Sequence, residues 1–434
     1  MTTATEPMMR GVARFHEYTD RVRGILGMLE KSPNPNPIQL AMLRLLLANE
    51  ERILDCAENG KPLASIWYGN APEIFPAMGI QPFCPFDDLK VHLELTDYKD
   101  LKDADKHPLP ADVCSLIRMA AHAVDEGLVP TPTVMVAMTT PCDAQLVLHE
   151  LWTNNSAWAK VPSFVLDPIY TSTPEDYKYF AGEIKRMIKF LEEHTGQKMD
   201  LDKLRDVVKE SNLQYEVWNE INECRRAVPC PHPSFLSSDL GWGITEHFVS
   251  GDPEGTKLLQ MILADAEQKV KEKKGFLPEE KIRILWADLI PTFTEQLGGW
   301  LAEEWGAVVV QDFQGFTSHF EPIDTATEES MLLGIAKRSM NSAMIRQGRG
   351  HVDVLINDIT RLVKDFKIDC VFFPGHMGHK DQSASVRFIR ETCRNLKVPL
   401  LAWTSSNFDP RYLPMDQLKK KISEFFEATE LGKR

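Results

Sequence analysis

Apolar residues over positions 38–58 (IQLAMLRLLLANEERILDCAE) return every three or four places, and that spacing predicts an amphipathic helix. Beyond it the pattern changes to short apolar runs alternating with amphipathic stretches. Ala64-Ser-Ile-Trp-Tyr68 reads as a strand, 72–78 as a helix and 79–85 (GIQPFCP) as a loop. A helix over 115–126 then leads to a buried strand at 134–139, a helix from Asp143, and a strand at 163–166 that stops at Asp167-Pro168. Residues 175–226 and 253–273 read as long helices, polar on one side, flanking an irregular segment rich in Pro, Ser and Gly at 229–243. The alternation resumes with strands at 281–286 and 307–311, a long helix at 327–346, strands at 370–373 and 399–403, and a closing helix at 415–428. Strands separated by helices of this length predict parallel sheets covered on both faces. The expected fold is α/β: two Rossmann-like parallel-sheet lobes with a helical insertion between them and a cleft where they meet. The expected boundaries are an N-terminal helical segment at 1–58, a first lobe at 59–170, the insertion at 171–278 and a second lobe at 279–434.

Composition narrows the function. A chain of 434 residues is long enough for two or three cores, and 43% hydrophobic with 26% charged residues is ordinary for a soluble protein. A net charge of −14 repels a polyanion, so no nucleic-acid partner is expected; a local pocket of Arg and Lys still leaves room for a small anionic substrate. The start, Met1-Thr-Thr-Ala-Thr-Glu-Pro7, has no basic region followed by an apolar one, and no signal peptide is expected. No apolar stretch approaches the roughly 20 residues that cross a bilayer, so no membrane association is expected and the cytoplasm is the expected location. The eight cysteines are scattered from Cys56 to Cys393 without a Cys-x-x-Cys, which reads as reduced thiols, some of them metal ligands, and not as a disulfide scaffold or a compact zinc or ferredoxin motif. A Walker-type loop and a Gly-x-Gly-x-x-Gly fingerprint are both absent from the sequence, so neither ATP hydrolysis nor direct hydride transfer is expected of this chain.

Three positions share one context. Cys114 precedes a helix, Cys142 follows the strand at 134–139 and opens a helix, and His379 follows the strand at 370–373 ahead of another helix. Open α/β sheets bind ligands beyond the carboxyl ends of their strands, where helix N-termini favour a thiolate over a thiol. Two cysteines and a histidine on such loops are placed to meet at one metal centre. The competing reading has the cysteines packing as small hydrophobes and the histidine capping a helix, and spacing alone does not separate the two.

Several local words carry a resemblance. Trp67-Tyr-Gly-Asn-Ala-Pro-Glu-Ile-Phe-Pro-Ala-Met-Gly79 resembles the Pro-Glu-x-x-x-Ala-x-Gly entry segment of the 2-hydroxyacyl-CoA dehydratase D-component family, which includes the ATP-dependent benzoyl-CoA reductases. Cys114-Ser-Leu-Ile-Arg118 resembles its first cluster cysteine and Thr140-Pro-Cys142-Asp143 its second. Trp218–Arg226 is similar to its Asn/Arg-rich helix and Phe408-Asp-Pro-Arg411 to its closing Asp/Arg motif, so the likeness runs from about residue 60 to the C-terminus. The resemblance implies an iron–sulfur cluster, of the 4Fe–4S type, held by three cysteines. It also implies a paralogous iron–sulfur subunit as partner, an ATP-hydrolysing activator that delivers single electrons at very low potential, and an acyl-CoA thioester as substrate. This chain departs from the pattern at the third ligand, where His379 stands in place of a cysteine. Either His379 ligates iron, or Cys84 takes the place, or the cluster is absent and the chain shapes a pocket as a non-catalytic paralogue. Within the family, the turn over 375–383 looks most like a cluster-type subunit of a class I benzoyl-CoA reductase. The implied activity is therefore low-potential reduction of the aromatic ring of a CoA thioester, with 2-hydroxyacyl-CoA dehydration as the alternative. On that reading His376 and His379 are the proton donors, because imidazole titrates near neutrality. Arg118, Lys380 and Arg411 meet the CoA phosphates. Trp67, with Tyr68 and Trp218, is a candidate to stack on the acyl group, although aromatics at such positions are more often core or interface residues. Arg225 and Arg226 are expected to pair structurally between the insertion and a lobe.

Overall fold

The computed structural model describes residues 6–67, 69–93, 96–236, 238–246, 250–316 and 321–431; Tyr68 lies outside them. Eight strands form two sheets. Strands β1 (Leu63–Ser65), β2 (Gln81–Phe83), β3 (Val134–Met138) and β4 (Ser163–Leu166) lie in the order β2-β1-β3-β4, all parallel. Strands β5 (Ile282–Trp286), β6 (Ala307–Asp312), β7 (Cys370–Phe373) and β8 (Leu400–Ala402) repeat the plan in the order β6-β5-β7-β8. The α/β architecture of two parallel-sheet lobes stands as expected. Its cause is visible in β3 and β5, whose every residue is buried, so both faces of each sheet demand a helical cover. In each sheet the strand order reverses beside the first strand, between β1 and β3 and between β5 and β7. A crevice opens beyond the carboxyl ends at such a switch point.

The expected loop over 79–85 instead contains β2, in register with β1 from Leu63↔Gln81 to Ser65↔Phe83. Three residues around Pro82 are enough here because β2 is an edge strand, where a missing N–H costs no ladder bond on the open side. The helix expected over 327–346 is two, Glu328–Asn341 and Ile345–Arg349, interrupted at Met344 with a φ of 67°. The irregular segment of the insertion holds a helix, Ser238–Glu246.

The N-terminal helices Glu6–Leu29 and Pro37–Asn59 pack on the first lobe, where Tyr18 stacks on His92 at 4.0 Å and its hydroxyl donates to Asp100 Oδ2 at 2.7 Å. In the insertion, the helix Pro174–Thr195 lays Phe180, Ile184, Met187 and Leu191 on the first sheet. The same core takes Met331, Ile335 and Met340 from the helix Glu328–Asn341, although that helix comes after β6 in the chain. The helices Leu201–Cys224 and Pro253–Glu272 form a smaller core with Leu45 of the N-terminal segment. Arg226 reaches Asp365 at 3.0 Å, joining insertion and second lobe, while the buried Arg225 donates to Asn222 and Gln311. Among the described residues no helix is long and apolar enough to cross a membrane.

Candidate functional site between the two lobes

The two sets of strand ends face each other across the lobe boundary. Cys114 stands at the N-cap position of the helix Ser115–Asp125 and Cys142 at that of Asp143–Asn155, in the loop after β3. From the second lobe, Asp288 follows β5, His376 and His379 follow β7, and Ser406 and Asn407 follow β8. Cys114, Cys142 and His379 line one cavity of about 30 Å³, together with Phe86, Leu289 and Phe408. The three residues singled out in the sequence thus share the lining of one cavity.

Contacts across the boundary are dense. The Cys114 sulfur lies 3.3 Å from His376 Nε2, and the Ser115 and Ser406 hydroxyls are 2.9 Å apart. Further out, Arg118 donates to the Tyr412 hydroxyl at 3.1 Å, Arg411 to Asp105 at 2.6 Å, and Lys380 to Asp112 at 2.8 Å. The centre of the second lobe's contribution is Asp288, fully buried, which accepts from His379 Nδ1 at 3.2 Å and from the His376 backbone N–H at 3.0 Å.

The titration behaviour follows from burial and this carboxylate. Burial opposes charge on both Asp288 and His379, but their mutual hydrogen bond and attraction outweigh it. Asp288 is held below the usual carboxylate range and His379 above the usual imidazole range, each favouring the charged form of the other. His376 is pushed down to about 3 by burial and by His379, and stays neutral. Burial pushes the Cys114 thiol up to about 11. It pushes Cys142 up to about 12, with the Cys114 charge adding to it. Both stand as thiols until something displaces their protons.

The other expected site residues are elsewhere or already engaged. Cys84 is wholly buried in the first lobe's core, its backbone N–H on Asp88, and is not among the cavity residues. Trp67 is 1% exposed and packs edge-on against Phe86 and Trp152, at 5.8 Å each, within that core. Trp218 is likewise buried, beneath the Arg225 guanidinium at 5.3 Å. Arg118 and Arg411 share Asp105, and Lys380, the most exposed of the three cations, holds Asp112 beside His379 in sequence. Sequence reasoning passed over Asp288, Asn407 and Gly378. The strand-end rule that selected Cys142 points equally to Asp288, two residues beyond β5.

Thiolate sulfur and imidazole nitrogen are the donors that iron–sulfur centres take, and in donor type Cys114, Cys142 and His379 fit such a group. His379 gives its Nδ1–H to a buried carboxylate, the arrangement that orients metal-bound histidines and leaves Nε2 for the metal. Among the described residues no three His, Cys, Asp or Glu side chains stand at metal-binding spacing, so the donors converge without yet forming a coordination shell.

Two doubly wound lobes, closed on thiols and histidines at their facing strand ends, define a two-lobed α/β protein with a thiol-lined site at the lobe boundary. Residues 69–429 match the family described as 2-hydroxyglutaryl-CoA dehydratase, D-component, and the chain belongs to that family. It is 21% identical over 324 residues to the (R)-2-hydroxyglutaryl-CoA dehydratase subunit alpha of Acidaminococcus fermentans, covering 72% of this chain and 63% of that one. It is 25% identical over 186 residues to the (R)-phenyllactyl-CoA dehydratase alpha subunit of Clostridium sporogenes, covering 40% of this chain and 44% of that one. The matches thus span less than two thirds of either relative.

Proposed function

We propose that the chain is one subunit of an enzyme acting on acyl-CoA thioesters, in which Cys114, Cys142 and His379 hold an iron–sulfur cluster. The observation that carries this reading is the convergence of those three side chains, from both lobes, on one cavity. When bound, such a cluster supplies electrons one at a time to the thioester. The chain's own residues would hold it: Asp288 sets the His379 ring, and Phe86, Leu289 and Phe408 give the cavity an apolar lining. A cluster would need both sulfurs as thiolates, and burial keeps Cys114 and Cys142 protonated, so loading should weaken as pH falls. Lys380, exposed at the boundary, is the cation placed to exchange Asp112 for a CoA phosphate. The paralogous partner subunit and the ATP-hydrolysing activator belong to the same reading, as does the cytoplasm, where the eight free cysteines stay reduced.

For the reaction we favour dehydration of a 2-hydroxyacyl-CoA, because both matched relatives are named as dehydratase subunits. An imidazole in place of a thiolate also raises a cluster's potential, which works against forcing electrons into an aromatic ring. Reduction of a benzoyl-CoA is the second reading, supported by the likeness of the turn over 375–383 to a reductase subunit.

Iron and acid-labile sulfide per chain, on protein made without oxygen together with its partner subunit, test the proposal. Cys114→Ala, Cys142→Ala and His379→Ala should each lose iron while keeping a folded chain. Iron unchanged in all three would leave this chain as a pocket-shaping paralogue. Product analysis then separates the reactions: a 2-hydroxyacyl-CoA turned to its enoyl-CoA supports the first, a dearomatised ring from benzoyl-CoA the second.

A further inference from the structure

The two histidines of the turn after β7 do different work. His379 faces the cavity on Asp288, whereas the His376 ring is turned to Cys114 and locked from behind. The Asn407 backbone N–H points at His376 Nδ1 from 3.1 Å, and a backbone amide is only ever a donor. Nδ1 is therefore the accepting nitrogen and carries no proton, which leaves the ring's one proton on Nε2. That nitrogen lies 3.3 Å from the Cys114 sulfur, with His376 wholly buried and Cys114 7% exposed. We infer that His376 is a positioning residue for Cys114, an imidazole that keeps its Nε2–H on the sulfur.

The surrounding backbone is arranged to hold this ring in place. The His376 N–H is fixed on Asp288 Oδ2, the Met377 N–H on the Ser405 carbonyl at 3.0 Å, and the His379 N–H on the His376 carbonyl at 2.8 Å. The ring edge meets Phe408 at 5.1 Å between centroids. Gly378 supplies an independent sign of close fit. A Cβ there would fall 2.5 Å from Cys114 Cβ and 2.8 Å from His376 Nε2, so only glycine lets the turn come this near.

A sulfur that accepts an N–H bond carries less negative charge, and hydrogen bonds to ligand sulfurs are among the terms that set a cluster's potential. His376 then makes the two thiolates unequal, with the Cys114 side the less electron-rich. This consequence rests on the function proposed above; the hydrogen bond itself does not.

Two measurements separate those layers. In the metal-free full-length chain, ¹⁵N-histidine NMR should show one ring in the Nε2–H tautomer at neutral pH, assigned to His376 by its loss in His376→Gln. An Nδ1–H tautomer for that ring would overturn the inference whether or not the chain holds iron. In the iron-loaded complex, His376→Leu should keep its iron but shift the midpoint potential to more negative values, and His376→Gln, which keeps an N–H, should shift it back toward wild type. Equal potentials in wild type and His376→Leu, or loss of iron from a folded His376→Leu, would also overturn it. Should His376→Leu fail to fold, the tautomer of the wild type and the potential of His376→Gln decide. Iron retained by Cys114→Ala would defeat the proposed function alone, leaving the tautomer to decide the hydrogen bond.

Discussion

Asp288 carries three hydrogen bonds on two oxygens, from the Leu289 N–H, the His376 N–H and His379 Nδ1. Removing its charge leaves a buried imidazole without a counter-ion, and breaking such a pair costs about 3 kcal/mol. Asp288→Asn is expected to lose about that much in urea unfolding of the metal-free chain. The histidines give opposite pH slopes. His376 is depressed, so the unfolded chain binds a proton that the native chain refuses, and stability falls as pH drops below the ordinary imidazole value of about 6.5. His379 is raised, so its contribution is complete below about 6.5 and is lost as pH rises through its elevated value. The depressed Asp288 contributes above about 3.9 and loses that contribution as pH falls through its lowered value. Urea midpoints against pH should show a shallower acid limb in His376→Gln and a shallower neutral-to-alkaline limb in His379→Gln. Little of this was legible beforehand. Cys114, Cys142 and His379 announce themselves because strand, loop and helix follow one another in sequence. Asp288 and Asn407 act only once the lobes have closed, which no local pattern encodes. Trp67 shows the converse, since an aromatic beside a family motif reads as a ligand contact until its burial against Phe86 and Trp152 is seen.

Among the elements, those with long periodic signals read most directly from the sequence. Strands β4 and β7 and the helix Met415–Ala428 have the bounds that the apolar pattern gives. The edge strand β2 was hidden because three residues holding a proline carry neither a period nor a ladder N–H at the centre. The break at Met344 was hidden because it depends on the tertiary turn that brings Met344 to the cavity. The helix Pro174–Thr195, which covers the first sheet, starts in a capping box: Thr173 Oγ1 accepts from the Asp176 N–H at 3.3 Å, and Asp176 accepts from the Thr173 N–H at 2.8 Å. Thr173→Ala should cost about 1 kcal/mol in thermal or urea unfolding and leave iron content unchanged, since the cap lies outside the cavity.

For the whole molecule, the size of the cavity matters most. At about 30 Å³ it has room for a water or two, less than a cluster fills, so the lobes are expected to part while one is seated and to close again over it. The outer contacts that resist parting are charged and partly exposed: Arg411 with Asp105, and Lys380 with Asp112. Salt screens such pairs. Reconstitution of the metal-free chain with iron and sulfide should therefore run faster at higher ionic strength and faster in Asp105→Ala, followed by the growth of visible absorbance. The cover of the first sheet has a different consequence, one of order in time. That core is completed by Met331, Ile335 and Met340, which leave the ribosome long after β4. The first lobe cannot finish folding as a unit during synthesis. It must wait, with part of one apolar face bare, for about as much chain again as it already has. A nascent chain stopped before residue 328 should accordingly be captured by chaperones or aggregate, while one extended past residue 349 should resist protease over its first half.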